Sequence, residues 1–276
     1  MLEKEDVISF SDFHSCGTST AVSVRCMFSF LTQQTFTKAK ANAMDNVLDV
    51  LSRAGVNVLW RDNNSNSKNV ADRVTYQNFM TPEVNTECDL ECRDTGMLVG
   101  LQAYIDSVKE GDILIVLHQM GNHGPAYYKR YPKAFEVFTP TCLSNQLETC
   151  SAEEINNAYD NAIVYTDYFL AQVIRLLKAN SPAFEAAMFY VSDHGESLGE
   201  SGVYLHGLPY VMAPKEQKHV PAVMWFGDGM GIDLSAVKEK LHQRLSHDYI
   251  SHTLLGFMEL ESGIYNRNLD ILSTSK

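Results

Sequence analysis

A chain of 276 residues is long enough to bury a sizeable core, so it does not depend on cross-links to fold. With 22 basic against 34 acidic side chains, a net charge of −12 and a pI near 5.1, it offers no broad cationic face to nucleic acid or a membrane; an anionic substrate has to be held locally, by a metal or a few basic residues. No apolar run approaches the roughly 18 to 20 residues that span a bilayer, and the opening MLEKEDVISF lacks the basic and apolar segments of a signal peptide, so the sequence as given predicts a soluble chain.

The first informative stretch is SCGTSTAVSVRC (15–26), which runs into the apolar pattern AVSVRCMFSFL and meets it at Thr20. A helix start presents free N–H groups and the positive end of a dipole, both of which attract a phosphate oxygen. Ser15, Thr18, Ser19 or Thr20 could equally cap that helix. A threonine hydroxyl becomes a nucleophile only if a base or a metal lowers its proton affinity, so at this point both roles stay open.

Ala43, Val47, Leu48 and Leu51 then recur at helical spacing and predict a helix from Ala39 that ends at Gly55. VNVLW (56–60) reads as a strand, RDNNSNSKN (61–69) as a polar loop, MLVGLQAYIDSV (97–108) as a second helix, and DILIVLHQ (112–119) as a strand buried on both faces. AEEINNAYDNAIVYTDYFLAQVIRLLKAN (152–180) carries one broad apolar stripe and predicts a long amphipathic helix, capped by Ser151 with Glu154 three residues on. AAMFYVS (186–192) and HVPAVMWF (219–226) read as buried strands and SHDYISHTLLGFMEL (246–260) as a late helix. Strands alternating with helices predict one α/β domain over 1–276, with a largely parallel sheet. No internal repeat, low-complexity segment or linker divides it.

The six cysteines form three close pairs, Cys16 with Cys26, Cys88 with Cys92, and Cys142 with Cys150. Their even number and local pairing predict three disulfides in an oxidising compartment. A zinc-binding cysteine set is the alternative, but only Cys88 and Cys92 have the spacing of a ligand pair and no second pair matches them. An exported chain without an export signal reads as an excised domain.

SDHGESLGE (192–200) is the most specific local signal. Asp193 and His194 follow an apolar strand directly, where ligands gather in α/β sheets, and together offer a hard oxygen and an imidazole nitrogen to a metal such as zinc. The structural alternative is an Asp that caps the next helix beside a surface histidine. LHQMGNHGPAYYKRY (117–131) leaves another strand in the same way and supplies His118 and His123, and His206 follows His194 after 12 residues. His118 continues its strand and reads as a packed, hydrogen-bonded side chain, whereas the glycine-flanked loop positions of His123 and His206 suit ligand contact.

SCGTSTAVSVRCMFS, WRDNNSNSK, ECRDTGMLVGL, LHQMGNHGPAYYKRY, AYDNA and YVSDHGESLGESGVYLHGLP together resemble the periplasmic domain of the lipid A phosphoethanolamine transferases, including the mobile colistin-resistance enzymes, over about Ser9 to Pro221. The resemblance implies an alkaline-phosphatase-like or sulfatase-like α/β/α sandwich. It also implies zinc-dependent transfer of phosphoethanolamine from phosphatidylethanolamine to a lipid A phosphate, through a phospho-threonine at the position of Thr20. Thr20, Asp193 and His194 match the family's zinc ligands. His123 and His206 resemble histidines that contact the substrate phosphate or a second zinc, and Asn64, Ser65, Lys68 and Glu196 resemble residues around the phosphoethanolamine pocket. The family's fourth zinc ligand is a glutamate in a Gly-Glu-Thr-Ala-Arg type motif on the first strand. Neither Glu3 nor Glu5 has that motif or that position, so the first strand and the membrane domain are expected to lie outside this chain. A related metal-dependent phosphohydrolase or phosphoglycerol transferase is the alternative, and a disulfide-stabilised binding module without catalysis a third reading.

Overall fold

Apolar runs of four to six residues become strands and the longer amphipathic stretches become helices, in a computed structural model that describes residues 1–181 and 183–274. The strands are β1 (Ile8–Phe10), β2 (Phe13–His14), β3 (Asn57–Asp62), β4 (Thr75–Asn78), β5 (Ile113–His118), β6 (Ala187–Val191), β7 (Ser197–Leu198), β8 (Tyr204–Leu205), β9 (Ala222–Phe226) and β10 (Leu245–Ser246). The α-helices are α1 (Thr20–Met27), α2 (Lys38–Asn42), α3 (Val47–Arg53), α4 (Leu101–Ser107), α5 (Ala152–Asn180), α6 (Leu234–Glu239) and α7 (Ile250–Phe257).

Two three-stranded sheets form the middle layer, in the orders β4-β3-β5 and β1-β9-β6. Alternation along β9 shows how they are covered. Met224 packs into a large cluster with Val24, Met27, Leu48, Leu51, Ile250 and Leu254 of α1, α3 and α7, while the next residue, Trp225, joins Phe169, Leu170 and Ile174 of α5 on the other side. Helices therefore cover both faces, the α/β/α sandwich expected. Helix α5 is as expected over its whole length: Ser151 accepts from the Glu154 N–H and Glu154 accepts from the Ser151 N–H, a complete capping box.

Four expectations need correction. The helix predicted from Ala39 to Gly55 is two helices, because the Asn46 side chain accepts from the N–H groups of Leu48 and Asp49 and starts α3 afresh. The sheet is only half parallel. β3 pairs parallel with β4 and β5, but β9 runs antiparallel to both β1 and β6, since no helix crosses over between β6 and β9 to turn the chain round. Arg61, Asp62 and Asn63, expected at the start of a polar loop, are buried. β3 extends to Asp62, and Arg61 is held by Gln77 and by the carbonyls of Met97 and Val99. Finally, β5 is half-exposed along its whole length rather than buried.

The cause of that last difference is a seam. Among the described residues β5 pairs only with β3 and β6 only with β9, so the two strands turn unpaired edges toward a shared cavity of about 1170 Å³. Val24 and Met27 of α1, Phe169 and Leu170 of α5, and Ile250 and Leu254 of α7 line it with apolar surface.

Candidate active site

Helix α1 begins at Thr20, and Ser19 stands at its N-cap without a side-chain cap bond. The other hydroxyls are engaged elsewhere: Ser15 donates to the Gly17 carbonyl and Thr18 to the Leu208 carbonyl at 2.6 Å. Capping thus does not account for the hydroxyl cluster. Thr20 is buried, and its Oγ1 lies 3.3 Å from His194 Nε2. Asp193 and His194 reach it from the end of β6, with His194 Nε2 3.7 Å from Asp193 Oδ2. That oxygen is enclosed and has no hydrogen-bond partner. Burial would raise the Asp193 carboxyl, but the His194 ring and the Thr20 hydroxyl beside it hold it below the usual carboxylate range. Gly195 is required here by close approach: a Cβ would fall 1.9 Å from the Glu216 carbonyl oxygen, and the Gly195 N–H donates to the Gln217 carbonyl.

His123, His194 and His206 converge from three segments, their candidate ligand nitrogens all within 4.8 Å of one another. Each ring has its Nδ1 against an oxygen acceptor: Gly124 O at 2.6 Å for His123, Gly195 O at 3.0 Å for His194, and Glu196 Oε1 at 3.0 Å for His206. The acceptors assign the proton to Nδ1 in all three, which leaves three Nε2 lone pairs in one cluster. A hydrogen-bonded far nitrogen is the usual support of a metal-binding histidine. His194 belongs both to this cluster and to the pair with Thr20.

Electrostatics separate the other two histidines. Burial lowers the His123 pKa and keeps that ring neutral. Burial would lower His206 as well, but its bond to the Glu196 carboxylate raises it overall. Glu196 also accepts from the Gly124 N–H and the Tyr127 hydroxyl, so it acts on the site through His206 and the His123 loop.

That loop is built on Asp94 of the ECRDTG motif. Its carboxylate accepts from Asn63 Nδ2 and from the N–H groups of Met120 and Gly121, while Asn122 is tied to Thr166 of α5. Asn64, Ser65 and Lys68 sit in the neighbouring loop, and none of them hydrogen-bonds to Thr20 or to the histidines. Asn64 donates to the Gln119 carbonyl, and Lys68 Nζ is turned back on the Ser65 hydroxyl at 2.8 Å. Partial burial lowers the Lys68 pKa, opposed by the charges of Asp62 and Asp193. All six cysteines are paired as expected, and Cys16–Cys26 braces the loop before Thr20.

Two supporting residues had no signal in the sequence. His247 is buried between the loop before Thr20 and the exit of β6, accepting from the Cys16 N–H and donating to the Ser192 carbonyl, both at 3.0 Å. Gln217, fully buried, donates to Ser197 Oγ and to the Leu205 carbonyl. His118 is hydrogen-bonded as expected, to Asp62 directly opposite in the β3–β5 register, but its enclosed Nε2 has no partner.

An α/β/α sandwich with a hydroxyl, an Asp-His pair and further histidines at its strand exits defines an alkaline-phosphatase-type domain. Residues 2–260 match the Sulfatase family model, and the chain belongs to that family. It is 43% identical to phosphoethanolamine transferase EptA of Escherichia coli (strain K12), over 100% of this chain and 51% of that protein. It is 48% identical to phosphatidylethanolamine transferase Mcr-1 of Escherichia coli, over 93% and 48%. The chain thus spans about half the length of these relatives. The soluble domain of lipooligosaccharide phosphoethanolamine transferase A from Neisseria meningitidis superposes with a TM-score of 0.91 at 40% identity, covering 97% of this chain and 82% of that one. No helix among the described residues is long and apolar enough to cross a membrane.

Proposed function

We propose that the chain is the catalytic part of a zinc-dependent enzyme that moves phosphoethanolamine from phosphatidylethanolamine to a phosphate of lipid A. The site faces the periplasm, and the modification lowers surface negative charge and gives resistance to colistin. The observation that carries this reading is the Thr20 hydroxyl at the start of α1, 3.3 Å from the free nitrogen of His194 and beside the unpartnered oxygen of Asp193. A hydroxyl, a carboxylate and an imidazole are an acceptable zinc donor set. Thr20, Asp193 and His194 would hold the ion, which supplies the positive charge that makes a threonine hydroxyl reactive at neutral pH.

The side chains then divide the work. Thr20 Oγ1 attacks the donor phosphorus, the bond to diacylglycerol breaks, and the proton lost by the threonine ends on the diacylglycerol oxygen. His206, kept basic by Glu196, is suited to carry that proton at Nε2. A lipid A phosphate oxygen next attacks the same phosphorus, the bond from phosphorus to Thr20 Oγ1 breaks, and the proton of the lipid A phosphate restores the Thr20 hydroxyl. A covalent carrier lets two bulky lipids use the site in turn. Of the two roles the resemblance implies for His123, a neutral ring with its proton on Nδ1 suits a second zinc better than a phosphate oxygen. Lys68, with Asn64 and Ser65 around it, supplies cationic charge to the donor headgroup. In the whole protein a membrane domain anchors the site, and a further strand bearing a glutamate ligand fills the seam between β5 and β6, whose unpaired edges and apolar lining suit it.

The test is a mass measurement. After incubation with zinc and phosphatidylethanolamine, phosphoethanolamine is expected on the peptide carrying Thr20 and absent from Thr20→Ala. Modification at another residue, or equal turnover by the Thr20→Ala protein, would refute the assignment.

A further inference from the structure

Beside the histidine cluster, residues 207–214 read Gly-Leu-Pro-Tyr-Val-Met-Ala-Pro, eight residues without a charge. Val211 is 91% exposed and Met212 74%, the two most exposed large apolar side chains among the described residues. Single exposed apolar residues are ordinary, but two adjacent ones at the tip of a braced turn are not. The N–H groups of Met212 and Ala213 both donate to the Pro209 carbonyl, at 2.8 and 2.9 Å. Beneath the turn, the Leu208 N–H donates to the buried side chain of Gln217. The Leu208 carbonyl accepts from Thr18, two residues before Thr20. The apolar tip is therefore held at a fixed place relative to the nucleophile.

Charge points to what covers it. Immediately after the turn come Lys215, its side chain 87% exposed and 3.9 Å from the Glu216 carboxylate, and half-buried Lys218, whose ammonium donates to the Tyr210 carbonyl and lies 5.3 Å over the Tyr210 ring, a local excess of one positive charge. An apolar tip backed by lysines and an aromatic ring is the arrangement that seats apolar atoms among acyl chains and cations at the level of lipid phosphates. The chain as a whole, with its net charge of −12, is repelled by an anionic bilayer, so contact through this tip alone fixes the orientation.

We infer that the turn 207–214 is a docking tip that inserts Val211 and Met212 into a phospholipid leaflet and presents Thr20 to headgroups there. The inference rests on the reading that the donor is a lipid. The test is flotation of the chain with vesicles of phosphatidylethanolamine and phosphatidylglycerol at millimolar lipid. Three proteins are compared: wild type, the double variant Val211→Asp/Met212→Asp, and the control Val137→Asp/Leu143→Asp, made at two other exposed apolar positions (63% and 68%). Wild type and control are expected to float, and the first variant to lose roughly tenfold or more of its partitioning. Thermal melts of all three should coincide, since none of the four side chains is packed. A wild-type chain that stays with the solvent, a Val211→Asp/Met212→Asp protein that floats like wild type, or equal loss by both variants would overturn the inference. In parallel, wild type is offered dihexanoyl phosphatidylethanolamine, monomeric in solution. A Thr20 adduct without vesicle binding defeats the docking tip alone, and vesicle binding without an adduct defeats the transfer reading alone.

Discussion

His247 makes the fold acid-sensitive at the place where the loop before Thr20 meets the exit of β6. The ring is 1% exposed, and each of its nitrogens has a backbone partner, Cys16 N–H at Nδ1 and Ser192 C=O at Nε2. Both bonds require the neutral ring, since a second proton at Nδ1 would face the Cys16 N–H. Burial accordingly pushes the His247 pKa down to about 4, against about 6.5 for an unfolded histidine. Between those values the unfolded chain binds a proton that the folded chain refuses, so stability rises with pH across that window and is lost as pH falls through it. Dropping from about pH 7 to about pH 4.5 should remove about 2.5 kcal/mol through this group alone. Urea unfolding with the disulfides intact and a chelator present, repeated across that range for wild type and His247→Gln, isolates it. Glutamine can accept and donate in the same two directions without titrating, and the acidic residues shared by both proteins cancel in the difference. A stability difference that stays flat with pH would refute the reasoning.

Glu196→Gln should lower the His206 pKa, because burial alone depresses that ring and the carboxylate is what raises it. Following the His206 ring signals by NMR during a titration checks this, and an unchanged His206 titration would mean that Glu196 does not set its basicity. Gly195→Ala should cost roughly 2 to 4 kcal/mol in a thermal or urea melt, because the new methyl would meet the Glu216 backbone oxygen rather than a side chain that can move aside. A melt within a few tenths of a kcal/mol of wild type would show that this segment relaxes.

Helix α5 was legible to its last residue because everything that defines it is local: the stripe, Ser151 and Glu154. The break between α2 and α3 was legible too, in Asn46 with Asp49 three residues on, but the apolar spacing through Val47, Leu48 and Leu51 masked it. Strand direction was not, because β9 lies antiparallel beside β6 for want of a crossover helix, a fact about chain path rather than composition. The seam escaped for the same reason, since DILIVLHQ has the composition of a fully covered strand and only its neighbours leave one edge open. In the site, residue types at strand exits pointed to His123, Asp193, His194 and His206 one at a time. Their convergence depends on Asp94, Glu196 and Gln217, whose hydrogen bonds join residues 10 to 72 apart in the sequence and leave no local pattern. His247 is the extreme case, because both of its partners are backbone groups that any residue would supply.

The balance of carboxylates around the site argues for a cation there rather than a phosphate alone. Asp62 is matched by His118, Trp60 and backbone N–H groups, Asp94 by Asn63 and two N–H groups, and Glu196 by His206, Gly124 and Tyr127. Asp193 differs from all three in keeping one enclosed oxygen without a partner, beside the hydroxyl of Thr20. A buried carboxylate oxygen left in that state is costly, and a phosphoryl oxygen brought next to it would be repelled. A divalent cation held by Asp193, His194 and Thr20, as proposed, would remove both penalties. It would also give a strongly acidic chain the local positive charge that its composition demands for an anionic substrate.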